Sequence, residues 1–230
     1  MLDYNTINIF GKSLFQSEYH LLKKAFEEKL PKEVIIRLFE NQNEIRDFDI
    51  SSISIVEEMA KEIRDKSDVV CNFCQSAEHV PNPRELSSEK KNLMVFDDLL
   101  LEKQNTCQSY YVIGRHSNVD CFYLAQNYFK LPRQQSEKTR ISCLFPQDLK
   151  NLNHIFDDHV GNDMTKEEFR QLYQTAWEKQ YGFVIIDLSS KKRNGKYRSG
   201  LDEFLHTKLN TKILLFSHSK NGESSKTNCK

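Results

Sequence analysis

The sequence predicts an α/β fold built on a mostly parallel sheet, and three observations carry that prediction. The stretch Asn92-Leu93-Met94-Val95-Phe96-Asp97-Asp98 runs four apolar residues straight into two acids. Its apolar part has no period-two alternation, so both faces of the strand are covered, as they are inside an α/β sheet. The stretch Val119 to Ala125 repeats the design and ends on the polar Gln126, and Phe183-Val184-Ile185-Ile186-Asp187 is a third strand of buried type. Segments with helical spacing separate these strands, the arrangement expected of α/β layers.

Taken in order, Thr6 to Phe10 alternates and is rich in branched residues, which predicts a first strand. Tyr19, Leu22, Phe26 and Leu30 define one face of a helix that Pro31 terminates. Val34 to Phe39 is expected to be a second strand, followed by a polar loop from Asn41 to Asp49. Ser54 to Glu57 has capping-box spacing ahead of a helix face formed by Val56, Met59, Ala60 and Ile63. Asn82-Pro83 and the run from Ser87 to Lys91 mark an exposed connection into the acidic strand. After it comes a helical stretch with Gly114 at its C-terminal end, then a polar loop from Arg115 to Asn118. Arg140 to Pro146 is a strand closed by proline. Leu149, Leu152, Ile155 and Phe156 form a helix face broken at Gly161. Thr165 to Glu168 is a capping box that opens a helix with Phe169, Leu172, Tyr173 and Ala176 on one side, and Trp177 is expected to pack rather than bind. Ser189 to Arg198 reads as a basic, solvated hairpin turn around Asn194-Gly195. We expect one domain over residues 1–216 and a disordered polar tail over residues 217–230.

Composition excludes several function classes. Lys plus Arg and Asp plus Glu are both 33, so there is no global positive field, and any nucleic-acid contact has to come from a local patch or an oligomeric ring. Mean hydropathy is −0.65, and no apolar run approaches the ~20 residues of a membrane span. The start of the chain has no basic, then apolar, leader pattern, and the six cysteines are scattered rather than paired in a framework. The expectation is a protein that works inside the cell and is not secreted. Cys71-Asn72-Phe73-Cys74 with His79 is compatible with the start of a zinc site, but a structural zinc needs four ligands and no second Cys/His pair is near. It is read as a loop with two incidental thiols.

The residues with the clearest chemistry are Asp97, Asp98 and Gln126. Ligands gather at the carboxyl ends of strands in open α/β sheets. Two acids there can hold a hydrated Mg²⁺ through Asp97 and orient or deprotonate a water through Asp98. If the two strands are adjacent and parallel, the Gln126 amide reaches the same edge, where it can sense a phosphate or the attacking water. The plain alternatives are an N-cap role for Asp97 or Asp98 and a loop role for Gln126. Arg115 is the right residue for a bidentate phosphate contact, in its own copy or across a subunit interface, against the plain reading of a solvated loop arginine. Gly11-Lys12-Ser13 is not a phosphate loop. The cradle needs a first glycine where Thr6 stands, and Ile7 to Phe10 are strand residues.

The ordered set Val95-Phe96-Asp97-Asp98, Gly114-Arg115-His116, Phe122 to Gln126, Leu144-Phe145-Pro146-Gln147 and Tyr181 to Asp187 resembles the poxvirus-type DNA-packaging ATPases and their relatives in virus-like transposons. These belong to the FtsK–HerA class of P-loop motors, and the resemblance runs from about Tyr4 to Leu201. It implies a three-layer P-loop NTPase-like, mostly parallel sheet. It also implies a homo-oligomeric ring, with Mg²⁺ and ATP as cofactors and hydrolysis driving double-stranded DNA through a pore. By resemblance, Asp97 is the Mg²⁺-side (Walker B) acid, Asp98 the catalytic acid, Gln126 the phosphate sensor and Arg115 the arginine that reaches a neighbour's nucleotide. The family's Gly-rich phosphate loop and its strand are not found in this sequence, so the expectation is a partial or truncated packaging-type ATPase that begins downstream of that loop, with a sheet that lacks its first strand. The alternative is a non-catalytic remnant or a DNA- or protein-interaction module that does not bind ATP by itself.

Overall fold

The structure, a computed structural model, describes residues 4–40, 56–57, 60–61, 67–103, 105–201, 203–207 and 213–217. It divides into two compact units, residues 1–126 and 127–230. No helix among the described residues is long and apolar enough to cross a membrane.

The first unit is an α/β unit, as expected. Its strands are β1 (Thr6–Gly11), β2 (Val70–Cys74), β3 (Asn92–Asp97) and β4 (Val119–Leu124). All pairings are parallel, in the order β2-β1-β3-β4. β3 lies inside the sheet, and Asn92, Leu93, Met94 and Phe96 are buried, which is why its sequence does not alternate. β4 is paired on one side only among the described residues, and it does alternate, with Val119 buried while Phe122 and Leu124 are exposed.

Phe96 is the packing hub of this unit. Its ring lies 6.0 Å from Phe10, 5.6 Å from Tyr110 and 6.1 Å from Tyr123, centroid to centroid. These three side chains come from β1, from the helix Asn105–Ile113 and from β4. A second cluster gathers Leu21, Ala25, Leu30, Val56 and Ala60, with Val34, Ile35 and Phe39 packed against it.

Several expectations are corrected here. The helix α1 (Ser17–Glu27) buries Leu21 and Ala25 rather than a face running through Leu22 and Phe26. Val34 to Phe39 is not a strand but part of the helix α2 (Lys32–Glu40). The amides of Val34 and Ile35 bond back to the Pro31 carbonyl, which sets the first helical turn. Val34, Ile35 and Phe39 then meet the α1 cluster, so tertiary packing overrides the strand preference of branched residues. Cys71 to Cys74 is not a loop but β2, because β1 takes a parallel partner on that side. Arg115 to Ser117 is not an open loop either. The third helix, α3 (Asn105–Ile113), tightens into a 3₁₀ turn over Gly114–Ser117, and Asn118 takes a left-handed conformation before β4. Of the second helix face expected near residue 56, Val56 and Ala60 are buried, while Met59 and Ile63 lie outside the described residues, as does the Asn41–Asp49 stretch.

The second unit holds α4 (Arg133–Lys138), α5 (Leu149–Ile155) and α6 (Lys166–Trp177). Its sheet is antiparallel, in the order β5 (Ile141–Leu144), β6 (Val184–Asp187), β7 (Tyr197–Ser199), β8 (Glu203–Thr207) and β9 (Ile213–Ser217). Residues 218–230 of the expected tail lie outside the described residues. The Thr165–Glu168 capping box forms as the sequence predicts, and Phe169, Leu172, Tyr173 and Ala176 are buried. Trp177 packs beside this core and donates its indole N–H to the Leu144 carbonyl at 3.0 Å. After α5 the chain widens into a π turn at Phe156–Val160, a feature with no cue in the sequence.

The basic turn is only partly solvated: Lys191 is exposed, while Lys192, Lys196 and Arg198 have partners within the protein. Lys192 donates to the main-chain carbonyl of Asp163, and Lys196 donates to the carboxylate of Asp163, which also accepts Tyr197 at 2.7 Å. Arg198 pairs with Asp187 at 3.1 Å. Lys196 and Arg198 are thus engaged by acids and Lys192 by a main-chain carbonyl, which leaves less of this local basic patch to a polyanion.

Burial works to raise the Asp163 carboxyl, but the hydrogen bonds from Lys196 and Tyr197 outweigh it and hold it below its ordinary value. A carboxylate held low contributes stability above its ordinary range and loses it as pH falls through the folded-state value. Asp163→Asn is therefore expected to flatten the loss of stability between about pH 5 and pH 3, read as urea midpoints across that window. A slope equal to the wild type's would count against the assignment.

Candidate functional site

The parallel register decides where the chemistry falls. Gly11, Asp97 and Leu124 lie side by side at the carboxyl ends of β1, β3 and β4. The amide of Asp98 then donates to the Leu124 carbonyl at 3.0 Å, so the pairing extends one residue past β3. Gln126 follows β4 by two residues, and its amide nitrogen donates to one oxygen of Asp98, Oδ2, at 3.2 Å. The three polar residues singled out from sequence thus converge at one edge of the sheet. Neither acid is a helix N-cap, since the next helix starts only at Asn105.

Asp97 is held by a residue that the sequence reading placed on a core face. Tyr19, in the first turn of α1, donates its hydroxyl to Oδ2 of Asp97 at 2.7 Å. Burial first, and then the bond to Asp97, push the Tyr19 hydroxyl well above its ordinary range, so it remains a donor at any working pH. Helical spacing gave no signal for this contact, because a tyrosine on an apolar face looks like packing. Among the described residues no donor reaches the second oxygen of either acid. Both acids are half-buried and Gln126 is exposed, so water reaches the edge.

Two features tighten the site. Asp98 has φ 50°, a left-handed backbone that aspartate tolerates better than most residues but still at a cost. Such strain concentrates at functional sites. On the neighbouring strand a side chain at Gly11 would be a tight fit. A Cβ there would lie 3.1 Å from the Asp97 Cβ and 3.2 Å from the Asp97 carbonyl oxygen. Beyond it the chain turns through Lys12, whose ammonium pairs with Glu102 at 2.9 Å. Lys12 is thus engaged with a carboxylate at a strand-end turn, in keeping with the rejection of Gly11-Lys12-Ser13 as a phosphate loop.

Arg115 is not brought to this edge. Its backbone lies in the turn before β4, at the amino end of that strand, whereas Gln126 follows the carboxyl end. Six strand residues separate the two ends, a span of ~20 Å. The cysteine motif gathers no site either. Among the described residues no group of three or more His, Cys, Asp or Glu could hold a metal. Burial pushes the Cys71 thiol up to about 12, the opposite of a reactive thiol.

No protein-family model matches the chain, and no curated protein matches it. Among solved structures it is similar to the genome packaging NTPase B204 from Sulfolobus turreted icosahedral virus 2 in complex with AMP. The identity is 12%, over 86% of this chain and 98% of that one, with a TM-score of 0.41. The same NTPase in complex with AMPPCP matches at 12% identity over 82% and 95% of the two chains, with a TM-score of 0.39. A likeness of this depth assigns no residue and no activity.

The strain at Asp98 can be isolated by comparing two variants that both lack the carboxylate. Asp98→Gly is expected to be more stable than Asp98→Ala by about 1 kcal/mol, because only glycine enters the left-handed region freely. Urea unfolding of the two variants measures the difference, and equal stabilities would mean that the backbone at position 98 is unstrained.

Proposed function

We propose that this chain carries the acid-and-amide side of a P-loop-type nucleotidase site and acts as an ATPase of the DNA-packaging kind. In this reading copies of the chain assemble in a ring inside the cell or viral factory and move double-stranded DNA. The observation that carries it is the convergence of Asp97, Asp98 and Gln126 at the carboxyl edge of adjacent parallel strands. Arg115, at the opposite end of β4, fits a role toward a neighbouring copy better than one within its own site.

The residues present fit a hydrated Mg²⁺. Such an ion is held by one or two carboxylates and keeps several waters, and each acid here has one oxygen without a donor among the described residues. When bound, the ion neutralises charge on phosphate oxygens. Asp97 would hold it, Asp98 would accept a proton from or orient the attacking water, and the Gln126 amide would fix Asp98 while its carbonyl oxygen accepted from that water. The described residues hold no cradle for a triphosphate, so the phosphate grip of a working site lies outside them.

That last observation favours a second reading, a DNA- or protein-binding module that does not bind ATP by itself. It predicts DNA binding without nucleotide, weakening steeply as salt rises.

ATP hydrolysis by the full-length protein, with Mg²⁺ and with or without double-stranded DNA, tests the first reading. Asp98→Asn is expected to lower kcat by on the order of 10² to 10⁴, and Asp97→Asn to raise the Mg²⁺ concentration required. Hydrolysis at the wild-type rate in both variants, or none in the wild type, would sink it.

A further inference from the structure

The bond between Tyr19 and Asp97 has a consequence for which cation the edge accepts. A carboxylate offers a cation either one oxygen or both. Mg²⁺ and Mn²⁺ demand near-octahedral geometry at short distances and take one oxygen, whereas Ca²⁺ readily takes two at longer range. Oδ2 of Asp97 is already engaged by a half-buried phenol at 2.7 Å. Asp98 is engaged in the same way, with its Oδ2 accepting from Gln126.

We infer that Tyr19 is a positioning residue that makes Asp97 a one-oxygen ligand and so selects small octahedral cations over Ca²⁺. The inference rests on the cation site proposed above and adds to it the residue that sets its preference. The geometry supports the role on two counts. Tyr19 sits in the first turn of α1, a helix anchored by buried Leu21 and Ala25, so the phenol is carried by a fixed element rather than a loop. Asp97 ends β3 and is paired with Gly11 on β1 and Leu124 on β4, so the backbone that carries the acid is fixed on both sides while the phenol holds one oxygen. Donors that orient a ligating carboxylate in this way commonly matter about as much as the ligand's own geometry.

The test is Mn²⁺ titration of the full-length protein by electron paramagnetic resonance, with Ca²⁺ as competitor. Tyr19→Phe removes one oxygen atom and keeps the ring, and circular dichroism checks that it folds. It is expected to weaken Mn²⁺ about tenfold while Ca²⁺ competes better relative to Mn²⁺ than it does in the wild type. Equal weakening of both cations would mean a merely structural contact, and no change would mean none; either overturns the inference. Asp97→Asn separates the two levels of the argument. If it leaves Mn²⁺ binding untouched, or if the wild type shows no saturable binding, the cation site itself fails and Tyr19 with it. If Asp97→Asn abolishes binding and Tyr19→Phe changes nothing, only the role of Tyr19 fails. A measurement independent of any variant is the tyrosine absorption of the wild type, which is expected to shift on Mg²⁺ saturation; a flat difference spectrum overturns the inference.

Discussion

The parallel register of β1, β3 and β4 is the constraint on which the first unit depends. Three strands running the same way must end at the same edge, and the pairing Gly11–Asp97–Leu124 fixes which residues end there. Phe96, one residue before the first acid, locks that register by packing against rings from β1, α3 and β4 at once. A slip of one residue would turn Phe96 away from the core and move Asp97 to the other face. The hydrophobic hub and the polar edge are therefore a single device, since the packing that buries Phe96 also presents the acids.

Around that edge the neighbours leave little slack. Tyr19 takes one oxygen of Asp97, Gln126 takes one of Asp98, and a side chain in place of Gly11 would crowd Asp97. The left-handed backbone at Asp98 is a local strain that the buried residues on either side, Phe96 and Leu99, hold in place. This is the pre-organisation that a site needs if its groups are to be in position before a ligand arrives. The second unit spends its basic residues differently. Asp163 draws in Lys192, Lys196 and Tyr197, so charge there serves to tie a turn to the core.

The edge itself was legible in the sequence because a buried parallel strand announces itself. Four apolar residues without alternation, followed by acids, leave few other placements, and Gln126 follows from the same logic one strand later. Tyr19 was not legible, since its function lies in a hydroxyl at the tip of a ring whose spacing reads as core. Val34 to Phe39 misled because branched residues favour strands locally, while the packing that holds them helical is against the cluster of Leu21, Ala25, Leu30, Val56 and Ala60. Cys71 to Cys74 was obscured by its thiols, which drew attention to metal chemistry and away from its role as a strand. The strands β7 and β8 lack a strong run of their own, since their partners supply the pairing, whereas Ile213 to Phe216 of β9 is such an apolar run and went unread.

The same register has a consequence during synthesis. β1 is made first, yet Asn8 meets Asn72 from a distance of 64 residues, and Asn5 is bonded to Lys91 across 86. At ribosomal speeds the strand waits on the order of ten seconds for its partners to emerge. Throughout that interval its backbone is a bare template for any other chain. Asn8 is the one polar residue between Ile7 and the Ile9-Phe10 pair, and a polar residue at such a place shortens the apolar run that another chain could pair with.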